Sequence, residues 1–464
     1  MDQLHGGSET KMNATEKLSG FVVENNFEDM PLEGVEITKK VFLDCLGVTL
    51  AGHGHPMGKI IAEFVKESGC SPKATVLGAG FKTAPAEAAL ANGTLGHALD
   101  YDDYSLELVG HPSVSLLPAI LAIGEERGIS GRKALEAYII GFEIESKLGA
   151  GLNFKHYELG WHATGTLGTM GAAAACSKML GFDIEQTRTA LGIAASEASG
   201  LRQNFGTMTK PFHAGLSARN GVVAALLAGK GFTADKNILE AEFGFCRLFC
   251  GKGEYDLEKI IANLGQPFAI VKPGISLKPY PSCGATHTAL DGILTLVIEN
   301  DVRPEDVEKI AVEVNELLPK ILIHSNPQTG LEGKFSMEFC MAIALLDRRV
   351  GLEQFTDEKA KDPGTVDILK RVKMIVNPDL KIGRLSASVP VNVIVRLKDG
   401  TALSRRVDRA KGNPEIPLSR DELTEKFKDC ARPLLSGEKA DRIIKTINDL
   451  EHLQYINELT GLMN

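Results

Sequence analysis

Apolar residues recur at three- and four-residue spacing along most of residues 13–265, the mark of helices that bury one face. The spacing predicts helices over Val35–Ala51, Ala84–Asp100, Gly131–Gly149, Gly165–Leu180, Ile184–Ser199 and Ala218–Leu227, all rich in Ala, Leu, Glu and Lys. Several are dense in Ala and Gly. The run Gly165-Thr-Leu-Gly-Thr-Met-Gly-Ala-Ala-Ala-Ala175 carries so little side chain that a second helix axis can approach it closely.

The pattern changes after Pro267. Ile310–Val314 alternates as a half-buried strand does, and Val391–Leu397 and Thr401–Val407 flank Asp399-Gly400 as the arms of a hairpin. Thr286–Glu299, Ser336–Leu346 and Thr365–Val372 read as helices between the strands. Beyond 410 the capping box Ser419-Arg-Asp-Glu422 opens a helix and Lys439–Leu450 forms another. The expected fold is mainly α: an all-α unit over 13–267, a smaller α+β unit over 268–410 with an antiparallel sheet, and a helical return over 411–464 that can dock on the first unit.

Length agrees with more than one core, since 464 residues exceed what a single core holds. The first eighteen residues are polar and lack the apolar core of a signal peptide. They read as a loose arm on a cytoplasmic protein. No apolar run reaches the length of a membrane span, and a net charge of −9 disfavours nucleic acid. The eight cysteines show neither a CxxC pair nor zinc-ligand spacing, so most read as small buried hydrophobes.

Four polar clusters interrupt the apolar pattern. In Lys278-Pro-Tyr-Pro-Ser282-Cys283, two prolines stiffen the segment and push the residue before each toward extended backbone. An amine held rigidly against an apolar wall can have its pKa lowered enough to take a proton. The alternative is a proline-rich hinge whose lysine reaches water. In Gly96-His-Ala-Leu-Asp100-Tyr-Asp-Asp103-Tyr104, Asp100 and Asp103 are expected on one face at a helix C-terminus, where the macrodipole disfavours them. That placement fits an Mg²⁺ site, caps of loop backbone paired with His111, or carboxylates that orient a catalytic histidine. No second aspartate-rich motif accompanies it, which argues against metal. His156-Tyr157-Glu-Leu-Gly-Trp161-His162 places His162 just before the small-residue helix, where a helix N-terminus lowers an imidazole pKa and welcomes anions. A buried histidine satisfied by backbone is the alternative. Finally, Thr207-Met-Thr-Lys210-Pro-Phe-His213, with Arg219 shortly after, holds the parts of a carboxylate clamp or, failing that, a polar loop. A cleft at the boundary between the units would join these clusters.

These motifs, together with Gly333-Lys-Phe-Ser-Met-Glu338, resemble the MmgE/PrpD family in order over about residues 13–460. Within it they are most similar to the iminodisuccinate epimerases; other members are 2-methylcitrate dehydratases and cis-aconitate decarboxylases. The resemblance implies a large helical domain built from both chain ends, a smaller lid domain, a homodimer, and no metal or organic cofactor. It also implies that Asp100, His111, His162, Lys210 and Lys278 line the site, with Lys278 and Tyr157 on opposite faces of a substrate α-carbon. Thr207, His213, Arg219, Ser282, Cys283 and Tyr104 are expected to contact a small di- or tricarboxylate. Cys283 and Phe339 stand where the decarboxylase members carry histidine and tyrosine. The implied chemistry is removal of a proton α to a carboxylate, which requires cations and hydrogen-bond donors around an enediolate-like intermediate.

Overall fold

The computed structural model describes residues 13–380 and 390–463, and it is mainly α. Of the expected arm, residues 1–12 lie outside the described residues. Residues 14–18 already belong to a helix, Ala14–Glu24, whose Leu18 is fully buried. Leu32–Gly52, Pro85–His97, Gly131–Leu152, Ala163–Leu180 and Ile184–Glu197 form helices where the periodicity places them. Among the described residues no helix is long and apolar enough to cross a membrane.

Small residues let the central helices come together. A Cβ added to Gly93 would lie 2.8 Å from Gly215 Cα, and one on Gly221 2.4 Å from Ala172 Cβ. Alanine at either position would force the backbones apart. The Pro85–His97, Ala163–Leu180 and Thr209–Gly229 helices meet here, buried on nearly every side. Beside them runs Ser113–Arg127, a helix that the pattern does not reveal. Its run Val114–Ile123 is too uniformly apolar to show a period, and Pro118 reads as a breaker.

Two boundaries correct the sequence expectations in ways that matter for the site. The Pro85–His97 helix stops before Asp100, which turns the chain with a left-handed φ of 51°. Asp100 and Asp103 therefore share no helix face. The Thr209–Gly229 helix begins well before Ala218 and includes Lys210 and His213, which read as loop residues. Pro211 falls in its first turn, where a missing N–H breaks no helical bond.

One apolar core draws on residues 14–277 and again on 418–463, so the C-terminal helices pack on the first unit. A second core spans residues 289–395. Strands β1 (Ala74–Val76) and β2 (Phe81–Thr83) form a small hairpin in the helical part that the sequence pattern does not predict. Strands β3 (Val307–Val314), β4 (Val372–Val376), β5 (Val391–Leu397) and β6 (Ala402–Val407) form one sheet in the order β4-β3-β5-β6. The β5–β6 hairpin pairs Arg396 with Ala402 around Asp399-Gly400, as expected. The sheet is mixed rather than antiparallel, because β4 runs parallel to β3. The helix expected over Thr365–Val372 is Pro363–Leu369, and the chain then returns as an edge strand. Only Val372 of β4 is buried, so no apolar alternation marks it.

Candidate active site

The site forms where the turn after the Pro85–His97 helix meets the segment that leads into the second core. Tyr104 and Ser276 exchange backbone hydrogen bonds of 2.9 Å in both directions, which sets the two segments side by side. Asp100 sits at the centre with its carboxylate buried. Its Oδ1 lies 2.6 Å from Lys210 Nζ, 3.4 Å from Lys278 Nζ and 3.9 Å from His111 Nε2. Burial opposes its ionisation, but Lys210 and Lys278 outweigh burial and hold the carboxyl far below the usual carboxylate range. Left-handed backbone at a non-glycine residue is strained, and such strain is concentrated at functional sites.

Asp102 orients two imidazoles. His97 Nδ1 lies 2.9 Å from both its carboxylate oxygens, and His111 Nδ1 lies 3.2 Å from Oδ2 and 2.8 Å from the Asp103 carbonyl. Burial opposes a charge on Asp102, and the two imidazoles overcome it. Burial brings His97 down to about 3, so at neutral pH it is a neutral ring that donates through Nδ1 and whose Nε2 has no partner among the described residues. Asp103 serves the fold instead: its carboxylate accepts from the Ser113 backbone N–H and hydroxyl. Of the roles open to these aspartates, the structure supports orienting histidines for Asp102 and backbone capping for Asp103.

His162 ends its loop immediately before the Ala163–Leu180 helix, as expected, and its backbone N–H donates to Gly200 O. Its Nδ1 lies 3.1 Å from His213 Nδ1, and its Nε2 is buried without a partner among the described residues. Burial, then the charge of Lys210, keeps His162 well below the ordinary imidazole pKa. Burial takes His213 to about 4. The Lys210 amine lies 5.1 Å from the ring centroids of both Phe205 and Phe335, a cation–π setting.

Lys278 is only 1% exposed, and its Nζ donates to the Asp100 carbonyl at 2.7 Å. Burial works to lower its pKa, but Asp100, Asp102 and Cys283 together raise it. The expectation of a lysine neutralised by an apolar wall is therefore corrected: carboxylates sit against it and hold the proton on. Lys334 has the property expected of Lys278. Burial lowers it to about 7, while its Nζ donates to Leu99 O and Pro281 O. Its only sequence signal is its place in the Gly333-Lys-Phe-Ser-Met-Glu338 motif.

Tyr157 lies on a short helix, Lys155–Glu158. The Arg202 guanidinium stacks 3.7 Å over its ring and donates to its carbonyl at 2.7 Å. Burial pushes the phenol up to about 12, with Arg202 pulling the other way and Cys283 and Asp100 within electrostatic reach. Tyr104 and Cys283 lie within electrostatic reach of Lys278, and the Tyr104 ring lies against Gly284. The remaining expected contacts turn elsewhere. Arg219 pairs with Glu87 at 3.3 Å. Ser282 bonds Thr286 at 2.8 Å. Thr207 is exposed and donates to Asn204 O.

His97, Asp100, Asp102 and His111 each bring one ligand atom within 4.8 Å of the others. This set, drawn from the Gly96–Tyr104 run and His111, suits a divalent ion poorly. Asp100 already faces two lysine amines, and Asp102 already accepts from two imidazoles. A cation there would meet Lys210 and Lys278 at close range.

Residues 16–258 match the model of the MmgE/PrpD N-terminal domain, and residues 280–452 match that of the MmgE/PrpD C-terminal domain. The chain belongs to the MmgE/PrpD family. Its relatives include the cis-aconitate decarboxylase of Mus musculus, 27% identical over 97% of this chain and 93% of that protein. The Homo sapiens protein of the same name is 28% identical over 92% and 90%. The mitochondrial 2-methylcitrate dehydratase of Yarrowia lipolytica is 27% identical over 80% and 74%. This MmgE/PrpD chain is an enzyme of the lyase or isomerase kind.

Proposed function

We propose that this enzyme removes and returns a proton at the carbon next to a carboxylate of a small di- or tricarboxylate, using only its own side chains. The outcome we assign is inversion of that carbon, as in an iminodisuccinate-type epimerase. One observation carries the reading: the buried cluster pairs fixed positive charge with neutral imidazoles. Lys210 and Lys278 surround a single carboxylate, while His97, His162 and His213 are uncharged at neutral pH.

Lys210 and Lys278 supply positive charge where a substrate carboxylate would become enediolate-like, in a water-poor setting that strengthens the effect. The protonated Lys278 returns the proton on one face. Tyr157, a phenol kept protonated by burial, supports proton return on the other. For inversion, the α-proton lost on the Lys278 face passes to the neutral imidazoles, of which His162 Nε2 has no partner among the described residues, while the Tyr157 phenol gives a proton on the other face. The reverse direction retraces these transfers, with Lys278 returning the proton on its own face.

The relatives named as dehydratase and decarboxylase support a second outcome in which the same carbanion-like state expels a group. Product analysis separates the outcomes. The enzyme is incubated with single stereoisomers of small di- and tricarboxylates, followed by circular dichroism, proton NMR and CO₂ release. Inversion without an unsaturated acid or CO₂ supports the epimerase reading. Stoichiometric unsaturated acid or CO₂ replaces it with a lyase.

A further inference from the structure

The three carbonyls of Leu99, Asp100 and Tyr101 follow one another at the left-handed turn, and each accepts from a different buried lysine. Lys334 donates to Leu99 O at 2.6 Å, Lys278 to Asp100 O at 2.7 Å and Lys426 to Tyr101 O at 2.8 Å. The lysines come from three separate stretches of chain, and all are at most 7% exposed. Carbonyls just past a helix end have no intrahelical donor, and when buried they must find one.

The same amines also reach the facing segment. Lys334 donates to Pro281 O at 2.7 Å and Lys426 to Lys278 O at 2.9 Å, while Tyr101 Oη donates to Pro279 O at 3.2 Å. The turn at Asp100 and the segment 278–281 are thus stitched together by side chains in place of a regular strand ladder. The C-terminal return grips the segment at a second point, since Leu277 N–H donates to Gly412 O at 2.9 Å. Gly412 has φ of 84°, and a Cβ there would lie 1.9 Å from Leu277 O. Lys426 is anchored from behind by Asp44, 2.6 Å away on the Leu32–Gly52 helix.

From this geometry we infer that Lys426, on the Arg420–Ala431 helix and outside every motif of the site, is a positioning residue for the reaction. With Lys334 it sets the backbone of Lys278 against the Asp100 turn. It also couples the docking of the C-terminal return to the assembly of the site. Misplacement of a reacting group by about 1 Å can cost ~10²-fold in rate, and no other side chain bridges Tyr101 O to Lys278 O among the described residues.

The test uses the full chain with Asp44→Asn/Lys426→Met, which removes both buried charges together, and Lys426→Met alone. Amide hydrogen exchange is followed at Tyr104, Ser276 and Leu277, with the Ala163–Leu180 helix as reference, alongside kcat and KM. The expected result for the double variant is exchange at least ~10-fold faster at the three amides, an unchanged reference helix, and kcat at least ~10-fold lower with KM nearly constant. Wild-type protection and kcat would overturn the inference. So would uniform loosening of the whole molecule, which marks a merely structural lysine, or local loosening with kcat intact. The rate arm rests on the proposed proton-transfer reading; the exchange arm does not. If no tested carboxylate is turned over, the exchange pattern still decides whether the stitch exists.

Discussion

Asp100→Asn removes the charge that two buried lysines share while keeping a side chain that tolerates left-handed backbone. At 2.6 Å and 3.4 Å from Oδ1, Lys210 and Lys278 each feel an attraction of about 5–6 kcal/mol at an effective dielectric near 20. Most of that gross attraction offsets the desolvation of the buried charges. The net loss on removing one partner of such a pair is about 3–5 kcal/mol, because the remaining charges stay buried without compensation. Urea unfolding at pH 7 should show that loss in Asp100→Asn and partial recovery in Asp100→Asn/Lys210→Met, which removes one orphaned amine. The pH dependence has a definite sign. The folded Asp100 carboxyl lies below its unfolded value, so its stabilisation is fully present above about pH 4 and fades as pH falls toward the folded value. The wild type should therefore lose stability more steeply below about pH 4 than the variant. A single variant within about 1 kcal/mol of wild type at pH 7 would refute the claim that this carboxylate balances the two lysines.

Lys278→Ala should lower turnover by at least ~10²-fold with the helical signal intact; a variant that keeps most of the wild-type kcat removes Lys278 from the chemistry. Tyr157→Phe should lower inversion ~10²-fold yet leave deuterium exchange through Lys278 partly intact, so equal loss of both would show that the phenol does not serve a separate face. Lys334 falls to about 7 in the folded protein, so the unfolded chain binds the extra proton between pH 7 and its ordinary lysine value, and stability gains from this residue as pH rises through that window. Lys334→Met should remove that gain, and parallel stability curves for the two proteins would contradict it. Prolonged EDTA treatment should leave activity unchanged, and light scattering should report twice the 49.9 kDa chain mass. Activity lost to EDTA and restored by a divalent ion would make His97, Asp100, Asp102 and His111 a metal centre, and a monomeric mass would remove the homodimer.

Periodicity locates helices that bury one face, such as Ile184–Glu197, Ala- and Leu-rich composition locates buried ones such as Ala163–Leu180, and alternation around Asp399-Gly400 locates the β5–β6 hairpin. Where burial is complete or nearly absent and composition gives no other sign, the pattern has nothing to display. Ser113–Arg127, interrupted by Pro118, is buried on almost every side and β4 on almost none, and neither shows in the pattern. The site divides in the same manner. Asp100, His111, His162, Lys210 and Lys278 stand in short polar runs within apolar sequence, and the fold gathers them. Arg219 lies near Lys210 in sequence, but the helix carries it away to Glu87. Lys426 and Asp44 meet across 382 residues of chain (426 − 44), a separation that no local motif can signal. The sign of the Lys278 shift was likewise hidden, since it depends on Asp100 and Asp102, which approach only in the folded protein.

The first chemical event proposed for this enzyme is loss of a proton α to a carboxylate. Following one stereoisomer of an accepted substrate in D₂O by NMR tests this directly. Solvent deuterium should replace the α-hydrogen at a rate no slower than product appears, and Lys278→Ala should slow this exchange at least ~10²-fold. Product that forms while the original α-hydrogen remains in place would contradict it.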